Sequence, residues 1–359
     1  MSARASSDIP DARLLVDQLL CESVRRGASD IHLEPTAQGL EVRFRIDGLL
    51  ETIATHERAA GQSMVMRLMV MAQLLTYRLD VPQEGRATVP LAEKSLDLRI
   101  SIMPTTHGLR AAVRLPAELI QPRTLAELGL PAAVMSGLEA FVHADAGMLI
   151  VTGPAGSGKT TSCYALLQSI TQLSPGISIV ALEDPVERDL PGVTQIEVEP
   201  FGELTYERTL RSMLRQDPQV LMLGEIRDAA TASIAAEAAL SGHRLVSTLH
   251  AATPAGAIAR LLEMGLPPYV ATSAIFGVVS QRLLRKKSGD GYRGRIPVAE
   301  FVRMDDELRR SLLKQADAAE IAKVYSQQLG YRPTRAAAGD LIQAALTDEA
   351  EVRRVLGES

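Results

Sequence analysis

The octapeptide Gly153-Pro-Ala-Gly-Ser-Gly-Lys-Thr160 places glycines, a lysine and a hydroxyl residue at the spacing Gly-x4-Gly-Lys-Thr. Glycines in this arrangement let successive backbone N–H groups curl around an anion, and a helix starting directly behind adds its positive end. Gly153, Pro154, Ala155, Gly156, Ser157 and Gly158 form the cradle in this reading. Lys159 reaches the terminal phosphates as a point charge, Thr160 offers a hydroxyl to Mg²⁺, and Thr161 begins the helix behind them. The flanks fit: Met148-Leu-Ile-Val-Thr152 reads as a buried strand and residues 161–173 as an amphipathic helix. A glycine-rich turn with no ligand would need neither flank, so the sequence predicts a nucleoside triphosphate site.

Three further segments carry chemistry. An apolar strand at 177–182 ends in Glu183-Asp-Pro-Val-Glu187, and a second, Val220-Leu-Met-Leu-Gly224, runs into Glu225-Ile-Arg-Asp228. Carboxylates just past a strand's C-terminal end sit where open α/β sheets bind ligands. Surface carboxylates near turns are commonplace, so each cluster alone says little; on consecutive strands behind a phosphate loop they make a site. Glu225 would orient or deprotonate water and help hold Mg²⁺ through solvent. The third segment is Leu245-Val-Ser-Thr-Leu-His250, preceded by Gly242-His243. Ser247, Thr248 and His250 are placed to sense the γ-phosphate, although a histidine at a strand end is more often a cap.

Composition narrows the class. The 359 residues are 46% hydrophobic and 23% charged, ordinary for a globular chain of two or three domains. With 38 basic against 43 acidic residues the net charge is −5, and the pI is near 5.8. That balance, with 3% aromatics and no Trp, argues against nucleic-acid binding. Cys21 and Cys163 show no metal spacing and suit a reducing cytoplasm. The opening Met1-Ser-Ala-Arg-Ala-Ser-Ser7 lacks an apolar signal core. Residues 264–281 carry no charge, yet Pro267, Pro268 and scattered hydroxyls make them too polar for a membrane span, and the expectation is a packed helix over 269–284.

The expected organisation is an N-terminal α+β domain (1–115), a linker (116–123), an ATPase-type α/β core (124–270) and a mostly helical region (271–359). The first domain should hold a helix at 12–26, half-buried strands at 30–34 and 40–46, and a methionine-rich helix at 62–77. Strands near 87–89, 96–103 and 109–115 complete it. Met64, Met66, Met69 and Met71 read as core filler. Strand and helix then alternate, as in a parallel nucleotide-binding sheet.

Taken together, the motifs resemble the type II secretion and type IV pilus ATPase family. Ser29-Asp-Ile-His-Leu-Glu-Pro35 and Val42-Arg-Phe-Arg-Ile-Asp-Gly48 look like the opening of that family's N-terminal domain. Val81-Pro-Gln-Glu-Gly-Arg86, Leu98-Arg-Ile-Ser-Ile-Met-Pro104 and the segment 108–115 look like its later strands. Leu182-Glu-Asp-Pro-Val-Glu187 resembles the aspartate box, Gly224-Glu-Ile-Arg-Asp228 the Walker B box, and the segment 239–250 the histidine box. The likeness runs from about residue 12 to the last expected helix, 348–356.

The resemblance implies a RecA-like P-loop core with a smaller PAS-like N-terminal domain and a helical C-terminal region, assembled as a homohexamer. It implies ATP with Mg²⁺, and catalytic roles for Glu183, Glu225, His250, Arg86 and Arg99. Both arginines, with Arg114, would approach the phosphates as charge-neutralising fingers. Arg114, Asp184 and His243 join the nucleotide-contacting residues on the same basis. The implied partners are an inner-membrane platform protein and other secretion or pilus components, with the motor cytoplasmic and any membrane contact indirect. Two departures stand out. Long motors of the family carry a further N-terminal docking domain, whereas this sequence opens close to the first expected helix. Many also hold a four-cysteine zinc loop after a Gln-Arg-Leu segment; here Gln281-Arg-Leu-Leu284 leads into the basic run 285–295 without cysteine, so no zinc is expected. The reading is an ATPase driving pilus or pseudopilus assembly or type II secretion. Alternatives are a retraction motor, a type IV secretion ATPase, a non-hydrolysing nucleotide sensor, or a RecA-type nucleic-acid motor.

Overall fold

The computed structural model describes residues 11–91, 94–116, 124–198 and 204–358. The polar opening segment and the expected linker beyond Pro116 lie outside them. Two compact units divide the chain, Met1–Gln121 and Pro122–Ser359.

The first unit contains α1 (Ala12–Arg25), β1 (Ala28–Pro35), β2 (Leu40–Ile46), β3 (Leu49–His56), α2 (Arg58–Met71), β4 (Gln83–Leu91), β5 (Lys94–Thr105) and β6 (Gly108–Arg114). Its strands form one antiparallel sheet in the order β3-β2-β1-β6-β5-β4. Period-two patterning fixes which face is which. Ile31, Leu33, Val42, Phe44, Ile100 and Ile102 point into a core closed by Val16 and Leu20 of α1 and Met64, Leu68 and Met69 of α2. The alternate positions carry Asp30, His32, Glu34, Arg43, Arg45 and Arg99. Helix α2 starts at Arg58 and ends at Met71, four residues before and six before the expected bounds of 62 and 77. Its end is set by Gln73 in the left-handed region (φ 56°) and by the Leu74 N–H returning to the Met69 carbonyl, a closure that stops a helix whatever follows. Strand β3 had no sequence expectation; its side chains are half-buried or exposed throughout, so it shows no alternation to read.

The second unit opens with α3 (Ala132–Val142), β7 (Gly147–Thr152), α4 (Lys159–Leu173), β8 (Ile179–Glu183), β9 (Thr194–Glu197), α5 (Tyr206–Met213), β10 (Val220–Leu223), α6 (Ala229–Leu240) and β11 (Arg244–Leu249). There follow α7 (Pro254–Glu263), α8 (Pro268–Ala274), β12 (Ile275–Ser288), β13 (Gly291–Arg303), α9 (Asp306–Leu313), α10 (Ala318–Tyr325), α11 (Thr334–Gln343) and α12 (Glu349–Leu356). The sheet order is β13-β12-β7-β11-β10-β8-β9, parallel from β12 to β9, with β13 returning antiparallel. Helices α3 and α4 pack on one face through Phe141, Tyr164 and Leu167, and α6, α7 and α8 on the other through Ala235, Ile258 and Ala271. A parallel sheet covered on both faces needs apolar runs without alternation, which is how β7 and β10 read.

One expectation fails here. Residues 269–284 are not one helix: α8 ends at Ala274 and β12 begins at Ile275. The absence of charge marks a strand buried beside β7 rather than a packed helix. Ile275, Val278 and Val279 are β-branched, and a Cβ at Gly277 would lie 2.7 Å from the Phe301 ring on β13. The expected helical region therefore opens with the two longest strands of the described chain, and α9 to α12 follow them. The outer half of this hairpin is tied to α12 by Glu351, which is buried and accepts hydrogen bonds from the Arg285 and Arg354 guanidinium groups. Burial opposes its charge, but those two partners win and hold the carboxyl near pKa about 2.

Candidate active site

Strands β7, β8, β10 and β11 all end at the same edge of the parallel sheet, and the chemistry gathers there. The phosphate loop leaves β7 at Thr152, whose hydroxyl donates toward the Leu249 and Ala251 carbonyls at 2.9 Å and so fixes the ends of β7 and β11 together. Gly153 and Gly158 are required by contact as well as by conformation. A Cβ at Gly153 (φ 149°) would lie 2.4 Å from the Gln281 carbonyl, and one at Gly158 (φ 86°) 2.9 Å from the Gln281 side-chain nitrogen.

Lys159 opens α4 with its side chain folded back, Nζ donating to the Gly153 and Pro154 carbonyls at 2.9 Å each. Burial lowers its pKa, with the Glu225 charge acting in the opposite direction. Thr160 and Thr161 follow in the first helical turn, where N–H groups have no partner within the helix. Ser157 is 3% exposed, and its Oγ has no hydrogen-bond partner among the described residues. An orphaned, buried hydroxyl in a glycine-rich loop at the start of a helix fits a phosphate ligand.

The two glutamates have different surroundings. Glu183 is buried: Tyr164 Oη donates to Oε2, and Gln195 Nε2 donates to Oε1 at 2.8 Å. Burial pushes its pKa up. Glu225 is partly open and, with Asp184, Tyr206, Arg227 and Asp228, lines a cavity of about 260 Å³. Arg227 Nε donates to Glu225 Oε1, and Arg227 Nη1 donates to Asp184 Oδ2 at 2.9 Å, so one guanidinium ties together the two acidic motifs. His250 Nε2 lies 3.1 Å from Glu225 Oε2. Tyr206 braces the base of this group: its hydroxyl donates to the Leu182 carbonyl at 3.0 Å and accepts from the Glu225 N–H at 3.2 Å.

Ser247 and Thr248 are buried and serve the sheet, donating to the Leu223 and Gly224 carbonyls at 3.1 and 2.6 Å. His243 stands apart. It precedes β11 at the sheet's opposite edge, its carbonyl accepting from the Gly147 N–H at 3.1 Å and its Nδ1 lying 2.9 Å from the Ala238 carbonyl. Within the subunit it closes the α6–β11 turn and does not join the phosphate loop. Asp228, whose carboxylate accepts from the Thr231 N–H, caps α6.

In the first unit Arg86, Arg99 and Arg114 stand directly opposite one another, Arg86 against Arg99 and Arg99 against Arg114. Asp30 continues this rung and takes Arg114 at 3.1 Å and Arg45 at 3.4 Å. Tyr164, Gln195, Tyr206, Arg227 and Gln281 were not singled out as site residues from sequence. Arg227 alone had a signal, its place between the two acids of Glu225-Ile-Arg-Asp228; the others depend on pairing between distant segments.

A P-loop preceding a strand order in which β11 lies between the loop strand β7 and the acidic strand β10 defines a RecA-like nucleoside triphosphatase core. The chain belongs to the type II/IV secretion system protein family, which matches residues 4–354. The type II secretion system protein HxcR of Pseudomonas aeruginosa is 36% identical over 361 residues, 95% of this chain and 76% of that protein. The type II secretion system ATPase E of Vibrio cholerae is 35% identical, covering 96% of this chain and 75% of that protein. Among solved structures, the pilus retraction motor PilT with bound ADP superposes with a TM-score of 0.67 at 26% identity, over 94% of this chain and 96% of that one. Membership of this family implies ATP as the nucleotide used.

Proposed function

We propose that this chain hydrolyses ATP to ADP and phosphate as a homohexameric motor for type II secretion or pseudopilus assembly. It works at the cytoplasmic face of the inner membrane through a platform protein. No helix among the described residues is long and apolar enough to cross a membrane. The observation that carries the reading is the convergence of Lys159, Glu225 and His250 at one sheet edge, beside a cavity with room for water.

The residues divide the work. Lys159 exchanges the Gly153 and Pro154 carbonyls for terminal phosphates, and the Ser157 hydroxyl gains the acceptor it lacks. The Thr160 hydroxyl, with Glu225 through solvent, would hold Mg²⁺, which would supply neutralisation of phosphate charge. Glu225 takes the proton of the attacking water, steered by His250 on one oxygen and Arg227 on the other. Glu183 is buried and does not line the cavity that Glu225 faces, so it acts by holding the segment 183–187, with Asp184 as partner of Arg227. Arg86, Arg99 and Arg114 supply cations from the first unit. A retraction motor is the second reading, favoured by the 26% identity with PilT over nearly the whole of both chains.

Glu225→Gln should lower phosphate release about 10²-fold or more with ATP binding retained, whereas Lys159→Ala should weaken binding itself. Parental turnover in the Gln variant would remove Glu225 from the chemistry.

A further inference from the structure

Behind the phosphate loop runs β12, and its residue Gln281 touches the loop twice and the helix α4 behind it once. The side chain is 2% exposed. Its Nε2 donates to the Ser157 carbonyl at 2.8 Å, and its Oε1 accepts from the Ser162 hydroxyl of α4 at 2.8 Å. Its own carbonyl is the group against which Gly153 closes. The position is rigid because β12 pairs with β7 through Val279 opposite Val151 and Ser280 opposite Thr152.

The consequence follows from peptide planarity. In a trans peptide unit the C=O and the next residue's N–H point in opposite directions. Holding the Ser157 carbonyl outward, toward β12, therefore turns the Gly158 N–H inward. Inward N–H groups at this point of the loop are what bind a phosphate. Arg295 of β13 approaches the preceding carbonyl, Gly156, at 3.5 Å from the same side. The hairpin thus lies against two successive outward carbonyls of the loop.

We propose that Gln281 is a positioning residue of the nucleotide site: it anchors the Ser157 carbonyl so that the loop's N–H groups face the phosphates before ligand arrives. The proposal rests on the nucleotide-binding reading above. The amide is suited to the task, since it donates to the carbonyl with one end while Ser162 fixes the other and so prevents it from turning over. A carboxylate of the same shape has no donor to offer the carbonyl, and protonating it restores one.

Gln281→Glu separates these ideas. Binding of ADP and of a non-hydrolysable ATP analogue is measured by titration at pH 8.5 and pH 6, with thermal unfolding followed in parallel. The expected result is affinity about tenfold weaker at pH 8.5, the scale of one lost buried hydrogen bond. At pH 6, where burial favours the protonated acid, the affinity recovers by at least half of that loss on a logarithmic scale, a change the parent does not show. Ser162→Ala, a small change that leaves the Gln281 amide unsteered, should weaken binding about threefold and decides the matter if the Glu variant does not fold. Parental affinity at pH 8.5 in Gln281→Glu, or in Ser162→Ala where only that variant folds, overturns the proposal. A parent protein that binds neither nucleotide overturns the nucleotide reading instead.

Discussion

Arg86, Arg99 and Arg114 of the first unit share one rung of an antiparallel sheet, like charges in direct cross-strand register. Glu183 and Glu225 of the second unit each hold dedicated donors, Tyr164 and Gln195 for one, Arg227 and His250 for the other. Like charges placed opposite one another cost stability, whereas charge-assisted hydrogen bonds recover it. The carboxylate site is therefore assembled in its own unit before any ligand arrives. The arginine rung instead lines up three guanidinium groups in one cross-strand row ending at Asp30, a row suited to meeting an anion.

The largest expected effect tests that contrast directly. Arg99→Gln removes the middle charge of the rung. Hydrolysis should fall about 10²-fold or more if this guanidinium neutralises transition-state charge. Stability should change by no more than about 1 kcal/mol, the scale of one cross-strand pair. Phosphate release and thermal unfolding on the same sample read both. Lost activity together with a Tm lowered beyond that scale would make Arg99 a structural residue and dissolve the comparison.

A smaller effect sharpens the other half. Burial raises the folded pKa of Glu183, so the unfolded chain releases this proton more readily. A group of that kind contributes most stability while protonated and loses it as pH climbs through the folded pKa. Glu183→Gln keeps the shape and removes the titration. Its Tm relative to the parent should rise between pH 5 and pH 8, by about 2–4 °C for each kcal/mol involved. A difference independent of pH would mean that Tyr164 and Gln195 stabilise the ionised form fully.

What the sequence disclosed depends on whether the signal was local. The loop 153–160, the apolar strands of the parallel sheet, and the acids that follow β8 and β10 are continuous in the chain and were legible. So was the alternation that places Arg99 opposite the core face. The strand β12 was not, because a charge-free run reads equally as a buried helix or a central strand, and only its partner β7 decides. Nor was Gln281, whose contacts lie 124 and 119 residues away in sequence. The end of α2 depends on one left-handed residue, Gln73, a conformation no side-chain pattern announces.

His243 supplies the smallest expected effect. The family resemblance places it with the nucleotide, and the fold places it at the other end of β11. Register sets Arg244 opposite Gly147 and Leu249 opposite Thr152, so five residues of strand separate the two ends, about 17 Å at the usual rise. An imidazole cannot bridge that distance, and its Nδ1 already faces the Ala238 carbonyl. His243→Asn should therefore leave nucleotide affinity within about twofold of the parent, roughly the change expected of a surface turn. His250→Asn, beside Glu225, should slow turnover with affinity kept. Titration with a fluorescent ADP analogue separates the two. A tenfold loss of affinity in His243→Asn at unchanged Tm would mean that a second copy brings this histidine to the nucleotide, and that the carboxylate site is shared between subunits rather than complete within one.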